Sequence, residues 1–443
     1  GGGTAWNTLV YDPDFDQVLI GTGNGAPWAR AVRSPDGGDN LFLASIVALE
    51  PESGEMKWYY QQVPAENWDY TATADIALAD MAVDGKSRKV LLQAPKNGFF
   101  YVIDREDGAL LRAHPFVPVT WATHVDLETG RPVENPEVHY VNGTKYVRPG
   151  PLGGHNWQAM SVDLEAGLVY LGVMENGLLY AMDEEFKASG TVKRKPAGLN
   201  LGIELGKLNA EYAKYEGEVL PDKGYLKAFD PLTGKEAWAV ELPHSWNGGV
   251  LGTSGGLVFQ GDATGFVTAY DKTTGESLWR FNAWSSILAP PVTFMHDGVQ
   301  YVSIMTGSGG GNLFGAGFGG PDNWASSKYG NTDRLLVFKL GGAEQLPRAT
   351  VVDQAIPEQD LAGLATTLIA TGEDHYENYC AVCHGLGVRS AGAVPDLRSM
   401  AEGTHAILDK IVLVWLYASN GMGSFGDVFS AEDTAAIHAY IRA

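Results

Sequence analysis

Cys380-Ala381-Val382-Cys383-His384, near the C-terminal end, is the stretch whose residue types and spacing commit the chain to a chemistry. Two cysteines spaced C-x-x-C with histidine directly after the second is the pattern that attaches a c-type haem. The two sulfurs bond covalently to the porphyrin, and His384 falls within reach of the iron as its proximal axial ligand. These are the only two Cys in 443 residues, so no disulfide framework competes. A thioredoxin-like or zinc-binding use of the pair is the plain alternative. Zinc would require a second C-x-x-C or a pair of closely spaced histidines, and the chain has neither.

A haem of this kind takes a second axial ligand on its other face, and Met400 and Met422 are the candidates. Met400 follows His384 by sixteen residues in Leu397-Arg398-Ser399-Met400, which reads as a helix start. Met422 lies in Asn420-Gly421-Met422-Gly423-Ser424-Phe425, where flanking glycines let the backbone bring a thioether to the iron. Helical patterns at Ala406–Ala418 and Ala431–Ile441 bracket that loop, and the reading favours Met422 over a core methionine. The order CxxCH, Pro395-Asp396-Leu397, helix, methionine loop and terminal helix is similar to that of small cytochromes c. Gly423 stands where that family often has proline.

These elements must be carried by the rest of the chain. Its formal charge of −22 and pI near 4.8 argue against a nucleic-acid partner. No run of about eighteen apolar residues would span a membrane. The first residues, Gly1-Gly2-Gly3, carry no Met, basic region or apolar leader, which leads to the expectation of a chain that starts inside something larger.

Residues 5 to 340 repeat a short apolar strand, a Gly turn, and a second strand ending in Ala-x-Asp or similar. Another Gly turn and often a Trp follow. The clearest copies are Ala228-Phe229-Asp230, Gly234, Trp238 and Ala269-Tyr270-Asp271, Gly275, Trp279, forty-one residues apart. Val47-Ala48-Leu49-Glu50 with Gly54 and Trp58 is another, and Phe100-Tyr101-Val102-Ile103-Asp104 with Gly108 lacks the Trp. Strand-rich repeats of about forty residues predict a propeller with four strands per blade. About five blades are counted, with an insertion near 185–224 and a glycine-rich excursion at Gly307–Gly320. The repeated Trp58, Trp238 and Trp279 read as packing between blades. The fold expectation is therefore an all-β propeller over 1–340, a linker over 341–357 and an all-α cytochrome c domain over 358–443.

Several pieces stand outside the repeat. They are Gly1-Gly2-Gly3-Thr4-Ala5-Trp6, Gly21-Thr22-Gly23-Asn24-Gly25 and Asn67-Trp68-Asp69-Tyr70-Thr71. Ala94-Pro95-Lys96-Asn97-Gly98, Gly154-His155-Asn156-Trp157 and Ser245-Trp246-Asn247-Gly248-Gly249 complete the set. With the C-terminal CxxCH, they resemble the PQQ-dependent quinohaemoprotein alcohol dehydrogenases of type II over essentially the whole chain. That resemblance implies a periplasmic enzyme with pyrroloquinoline quinone (PQQ) at the axis of an eight-bladed propeller. Alcohols would be oxidised to aldehydes by hydride transfer to PQQ, with electrons passing to haem c and then to a small cytochrome or copper protein. It implies Trp6 as the flat floor beneath the quinone, Thr4 as a hydroxyl donor, and Asn24 and Asp69 as oxygen ligands of Ca²⁺. Asp69 would also be the catalytic base, and Lys96 the cation on the quinone oxygens. Asn156, Trp157 and Trp246 match positions around the cofactor rim and substrate entrance.

The departures are as specific. About five blades stand against the family's eight. The adjacent-cysteine disulfide, the glutamate ligand to calcium and further polar contacts to PQQ are not in the chain. The expectation is of an enzyme lacking its N-terminal part and inactive as this chain alone. The alternatives are a PQQ enzyme for another hydroxylated substrate (polyvinyl alcohol or a cyclic ether alcohol) and a non-enzymatic electron carrier on a propeller. A propeller scaffold for protein binding is a third, which the CxxCH disfavours.

In relatives that use lanthanides, the resemblance places a second aspartate two residues beyond the base, where this chain has Thr71. Threonine adds no charge, and ligand charge count separates hard cations. The full-length enzyme, metal-free and loaded with PQQ, should therefore be activated by Ca²⁺ and gain little from La³⁺ in a titration with ethanol. Activation by lanthanum alone would overturn this reading of Thr71.

Overall fold

The structure, a computed structural model, describes residues 2–7, 9–189, 198–204, 208–309, 324–352, 356–359, 361–390 and 394–443. Parts of two expected features lie outside these residues: 190–197 and 205–207 of the insertion, and 310–320 of the glycine-rich excursion.

The repeat folds as five antiparallel sheets, the blades of a propeller. β1 (Leu9–Asp12), β2 (Gln17–Gly21), β3 (Ser45–Leu49) and β4 (Met56–Gln61) form the first, and β5 (Ala77–Val83), β6 (Lys86–Gln93), β7 (Phe99–Asp104) and β8 (Leu110–Pro115) the second, each paired in chain order. β9 (Ala122–Val125) and β10 (Pro132–Glu134) pair separately. There follow β11 (Lys145–Val147), β12 (Ser161–Asp163), β13 (Leu168–Glu175), β14 (Leu178–Tyr180), β15 (Lys223–Phe229) and β16 (Glu236–Leu242). The third blade is β12-β13-β15-β16, while β14 leaves it to pair with β11. β17 (Val250–Gly252), β18 (Leu257–Gly261), β19 (Phe266–Asp271) and β20 (Ser277–Asn282) make the fourth. β21 (Val292–His296), β22 (Val299–Thr306) and β23 (Arg334–Lys339) make a fifth of three strands. β2 alternates buried and half-buried positions, whereas all six residues of β7 are buried, as expected of an inner strand with both faces covered.

Blades are spaced by an aromatic ring pressed on a glycine of the next blade. A Cβ at Gly108 would lie 2.5 Å from the Trp58 ring, and one at Gly275 would lie 2.7 Å from Trp238. Each indole also donates a hydrogen bond to the main chain beyond, Trp58 to Arg105 and Trp238 to Lys272. Where the second blade lacks the Trp, His114 takes its place: a Cβ at Gly234 would meet its ring at 2.7 Å, and its Nε2 bonds Leu232 O at 3.1 Å. Trp279, 39% exposed, stacks on Phe281 of its own strand and meets Phe338 of the fifth blade edge-on at 5.2 Å.

Between Lys339 and Thr366 no strand or helix occurs among the described residues. The first helix, Thr366–Tyr379, so begins later than the expected onset near 358. It crosses Ala431–Arg442 at Gly372, where any Cβ would lie 1.9 Å from Ala436 O. Tyr376, Met400, Leu408, Phe429 and Ile437 fill the core between them. The expected helix Ala406–Ala418 is cut to Leu408–Leu413. Its last carbonyls are taken from outside, Val412 O by Phe425 N and Leu413 O by Ser424 Oγ, and Trp415 turns left-handed at φ 57°.

Gly275 and Gly85 share a left-handed φ of 74°, but only Gly275 faces a ring; a Cβ at Gly85 meets nothing within 4 Å. Alanine at either position should cost about 1–2 kcal/mol in backbone strain. Gly275→Ala should lose a further 1–3 kcal/mol, roughly, to overpacking against Trp238. Urea unfolding reads the difference, and equal midpoints for the two variants would dismiss the ring contact as a determinant of stability.

Candidate functional site

The turn 66–70 is fixed from every side. Glu66, fully buried, accepts from the main-chain N–H groups of Trp68 and Tyr70 with one carboxylate oxygen, and from Gly25 N with the other at 3.3 Å. Arg30 N donates to Asn67 Oδ1 at 2.8 Å, Tyr140 Oη to Asn67 O at 2.7 Å, and Tyr180 Oη to Trp68 O at 2.9 Å. Tyr70 Oη donates to Pro149 O at 2.6 Å. Trp68 is closed in by Trp121 and His139, both at 5.5 Å between ring centroids. Held so, Asp69 sits at φ 71°, a conformation costly to a non-glycine residue and kept only where the surroundings over-determine it.

Asp69 Oδ2 meets Lys96 Nζ at 2.9 Å, and the same ammonium donates to Asp69 O at 3.2 Å. Burial raises the Asp69 pKa above the ordinary carboxylate range, while Lys96 and a hydrogen bond from the Trp28 indole pull it down. Glu66 is pushed up to about 7 by burial, opposed by the Arg33 guanidinium and reinforced by the charge of Asp69. Lys96 is held against the 150s loop, where a Cβ at Gly153 would lie 2.5 Å from Lys96 Cα, and where Gly154 N donates to Lys96 O at 2.9 Å.

The N-terminal segment reaches this cluster through Asn24. Gly3 N donates to Asn24 O at 2.9 Å, and a Cβ at Gly23 would lie 2.9 Å from Thr4 O. Thr4 is exposed, and Trp6 is 45% exposed where Trp68 and Trp121 are at 0%, so its indole face is open to a flat partner. The Asn24 amide donates to Gly25 O at 3.0 Å. Gly25 N to Glu66 then joins the Asn24 turn to the Asp69 turn. Main-chain contacts thus link the Thr4 and Asn24 turns to the turn that carries Asp69, paired there with Lys96, and Trp6 follows Thr4 by two residues with its ring partly exposed.

Asn156, Trp157 and Trp246 belong to the next layer. Both ends of the Asn156 amide are engaged locally, Nδ2 with Leu152 O at 2.8 Å and Oδ1 with Trp157 N at 2.9 Å. Trp157 meets Trp246 edge-on at 6.3 Å, and the buried Trp246 indole N–H has no partner among the described residues. His155 anchors the loop through Nδ1 to Ala94 O at 2.7 Å, and burial holds its pKa down.

Donor chemistry bears on what the set could hold. Asn24 and Asp69 offer hard oxygens of the kind Ca²⁺ prefers, but two residues fall short of its usual six to eight ligands. Among the described residues no three His, Cys, Asp or Glu side chains gather in a metal cluster. The exposed Trp6 face and the Lys96 ammonium suit a planar, oxygen-rich quinone.

The second centre is local. Cys380 closes the helix Thr366–Tyr379, and Cys383 lies one turn on, its N–H donating to Cys380 O at 3.1 Å. His384 Nδ1 lies 3.2 Å from Pro395 O. A carbonyl only accepts, so Nδ1 carries the proton and Nε2 keeps its lone pair for a metal. This suits a proximal haem ligand. Glu377 accepts from Gly387 N at 2.9 Å and Tyr440 Oη at 2.8 Å, tying the haem-binding helix to the turn after it. Met400 is 8% exposed inside the helical core, whereas Met422 is half-buried in its loop, its N–H on Tyr417 O at 3.2 Å. Sequence reasoning missed Glu66 and Pro395. A carboxylate three residues before Asp69 in a loop is a possible acceptor for nearby N–H groups, which is the signal that was there to read.

Family models match three stretches: the beta-propeller domain of glucose/ethanol/alcohol dehydrogenases at 1–132, outer membrane protein assembly factor BamB at 222–307, and cbb3-type cytochrome c oxidase subunit III at 367–441. Quinohemoprotein alcohol dehydrogenase ADH IIB of Pseudomonas putida is 44% identical across 100% of the chain and 62% of that relative. The solved ADHIIG of the same organism superposes with a TM-score of 0.86 at 38% identity, covering 100% of this chain and 64% of the other. The Comamonas testosteroni quinohemoprotein alcohol dehydrogenase follows with a TM-score of 0.84 at 36% identity, covering 100% and 63%. The chain therefore spans about three fifths of the length of the relatives it matches.

The two methionines separate experimentally in haem-loaded protein. Met422→Ala should remove the low-spin methionine absorption band and lower the haem potential. Met400→Ala should keep both and instead cost about 2–5 kcal/mol of stability through a core cavity. A band lost in the Met400 variant and kept in the other would reverse the assignment.

Proposed function

Because the chain belongs to the quinohaemoprotein alcohol dehydrogenase family, we propose that its site oxidises an alcohol to an aldehyde, with the electrons passing through haem c to an external acceptor. The observation that carries this reading is the Asp69–Lys96 pair at 2.9 Å, in a turn whose main chain is pinned by Glu66, Tyr140 and Tyr180. PQQ would supply the two-electron acceptor for hydride, Ca²⁺ a Lewis acid and haem c a one-electron carrier.

The chain's own residues would do the rest. Trp6 would form the floor of the quinone site with Thr4 at its edge. Asn24 and Asp69 would hold Ca²⁺. Asp69 takes the alcohol hydroxyl proton, its basicity raised by burial and moderated by Lys96. Lys96 has a third N–H beyond the two on Asp69, and this would neutralise charge gathering on the quinone oxygens. Asn156 shapes the loop behind Lys96, and Trp157 with Trp246 lines the approach. Cys380 and Cys383 anchor the haem, whose axial ligands are His384 and Met422.

The division proposed is propeller 1–340, linker 341–357 and cytochrome 358–443. No helix among the described residues is long and apolar enough to cross a membrane. Covalent haem attachment and the family resemblance support a periplasmic setting. The acidic chain favours an acceptor with a basic patch, a small cytochrome or copper protein.

Asp69→Asn keeps the shape and removes the base. In the full-length enzyme, turnover in a dye-linked alcohol assay should fall by about 10²–10⁴ while PQQ binding persists. Full activity in that variant would exclude Asp69 as the base.

A further inference from the structure

Residues 198–204, within the insertion between β14 and β15, make main-chain bonds to a neighbour of each redox site. Leu199 N donates to Asn378 O at 3.1 Å, and Asn378 lies in the last turn of the haem-binding helix, two residues before Cys380. Leu201 O accepts from Trp28 N at 2.6 Å, and the Trp28 indole lies beside Asp69 and, with Lys96, stabilises its carboxylate. The segment is rooted in the propeller behind these contacts. Gly202 O accepts from Asp183 N at 3.2 Å, Ile203 pairs with Met182, and Glu204 N donates to Ala181 O at 2.9 Å. Gly202, at φ 76°, leaves room for Pro27, whose Cβ would lie 2.9 Å from any Cβ placed there. Leu199 and Leu201 pack on the propeller core that contains Trp28 and Trp68.

Resting on the functional reading above, we propose that residues 199–204 are a strut that sets the haem-binding helix in register with the Asp69 turn, and that the Leu199 N–H is its outer fastening. The root is rigid: residues 201–204 hold three main-chain bonds to the propeller, two of which make the Met182–Ile203 bridge. The outer end is a single hydrogen bond to a carbonyl at a helix terminus, a group that needs an outside donor in any case. Each alcohol oxidised gives two electrons and two protons. The electrons leave one at a time, each converting ferric haem to ferrous, so the separation and orientation of the two sites enter the rate twice per turnover. A strut that fixes them by backbone contacts makes that rate depend on one amide.

Leu199→Pro deletes the N–H, and Leu199→Ala keeps it while trimming the side chain. In the holoenzyme, haem reduction after mixing with alcohol is followed by absorbance, alongside oxidation of alcohol with a dye that takes electrons directly from the propeller site. The proline variant should reduce its haem about tenfold more slowly, the effect of one lost hydrogen bond on docking. The alanine variant should stay within about twofold of the unaltered protein, since the donor remains. Dye-linked oxidation and the haem spectrum should be unchanged in both. Unaltered haem reduction in the proline variant, or equal slowing in both, overturns the strut.

Amide exchange in haem-bearing protein without PQQ separates this from the functional reading. Peptides covering 376–384 should exchange faster in Leu199→Pro than in Leu199→Ala, while the Trp28 amide stays protected in both. If alcohol reduces neither haem nor dye even in the unaltered full-length enzyme, the functional reading fails, and the exchange result alone decides the strut. Equal exchange at 376–384 in the two variants rejects it.

Discussion

A ring resting on a bare glycine spaces the blades, and the site depends on that spacing. Trp58 on Gly108 and Trp238 on Gly275 leave no room for a Cβ, so neighbouring sheets approach to a distance set by the thickness of an aromatic ring. Asp69 comes from the connection between the first and second blades, and Lys96 from a turn inside the second. Gly153 stands on the connection to the third. These three positions meet within hydrogen-bonding range only if the sheets that carry them are so fixed. His114 on Gly234 shows that the requirement is for a flat ring with a nitrogen reaching the next turn, not for indole as such.

The parts of the molecule legible in the sequence are those whose determinants are local. C-x-x-C-H encloses its whole meaning in five residues, and the strand-turn-strand copies announce the blades through spacing alone. Asn24, Asp69 and Lys96 carried a signal only jointly, through a resemblance, because each by itself is an ordinary turn or surface residue. Glu66 could not be found that way. Its role exists only once Gly25, Trp68 and Tyr70 turn their N–H groups inward. The shortened helix at Leu408–Leu413 has the same origin. The apolar period runs on through Tyr417, but Ser424 and Phe425, from a later loop, take the carbonyls that another turn would have used. Local propensity proposed a longer helix, and a contact from farther along the chain ended it.

The haem end is built on the opposite plan to the propeller end. His384 is oriented by one carbonyl, Pro395 O, and Glu377 stitches the helix to the turn that follows, all inside about seventy residues. The Asp69 cluster, in contrast, draws on segments from Gly3 to Tyr180. A change that loosens the propeller would therefore disturb the Asp69 cluster well before it reached the haem pocket.

Glu66 carries a thermodynamic consequence for the whole propeller. Its ordinary value is near 4.5 and its folded value about 7, so the folded chain holds this proton more tightly than the unfolded one. Stability from this group is full below pH 4.5, falls as pH climbs to about 7, and is flat above, a loss of roughly 3 kcal/mol. Most carboxylates in a protein act the other way. The turn that presents Asp69 is thus least at rest near neutrality, the range in which Glu66 gives up its proton. The protein is poised there with a buried charge that its hydrogen bonds to backbone amides only partly compensate.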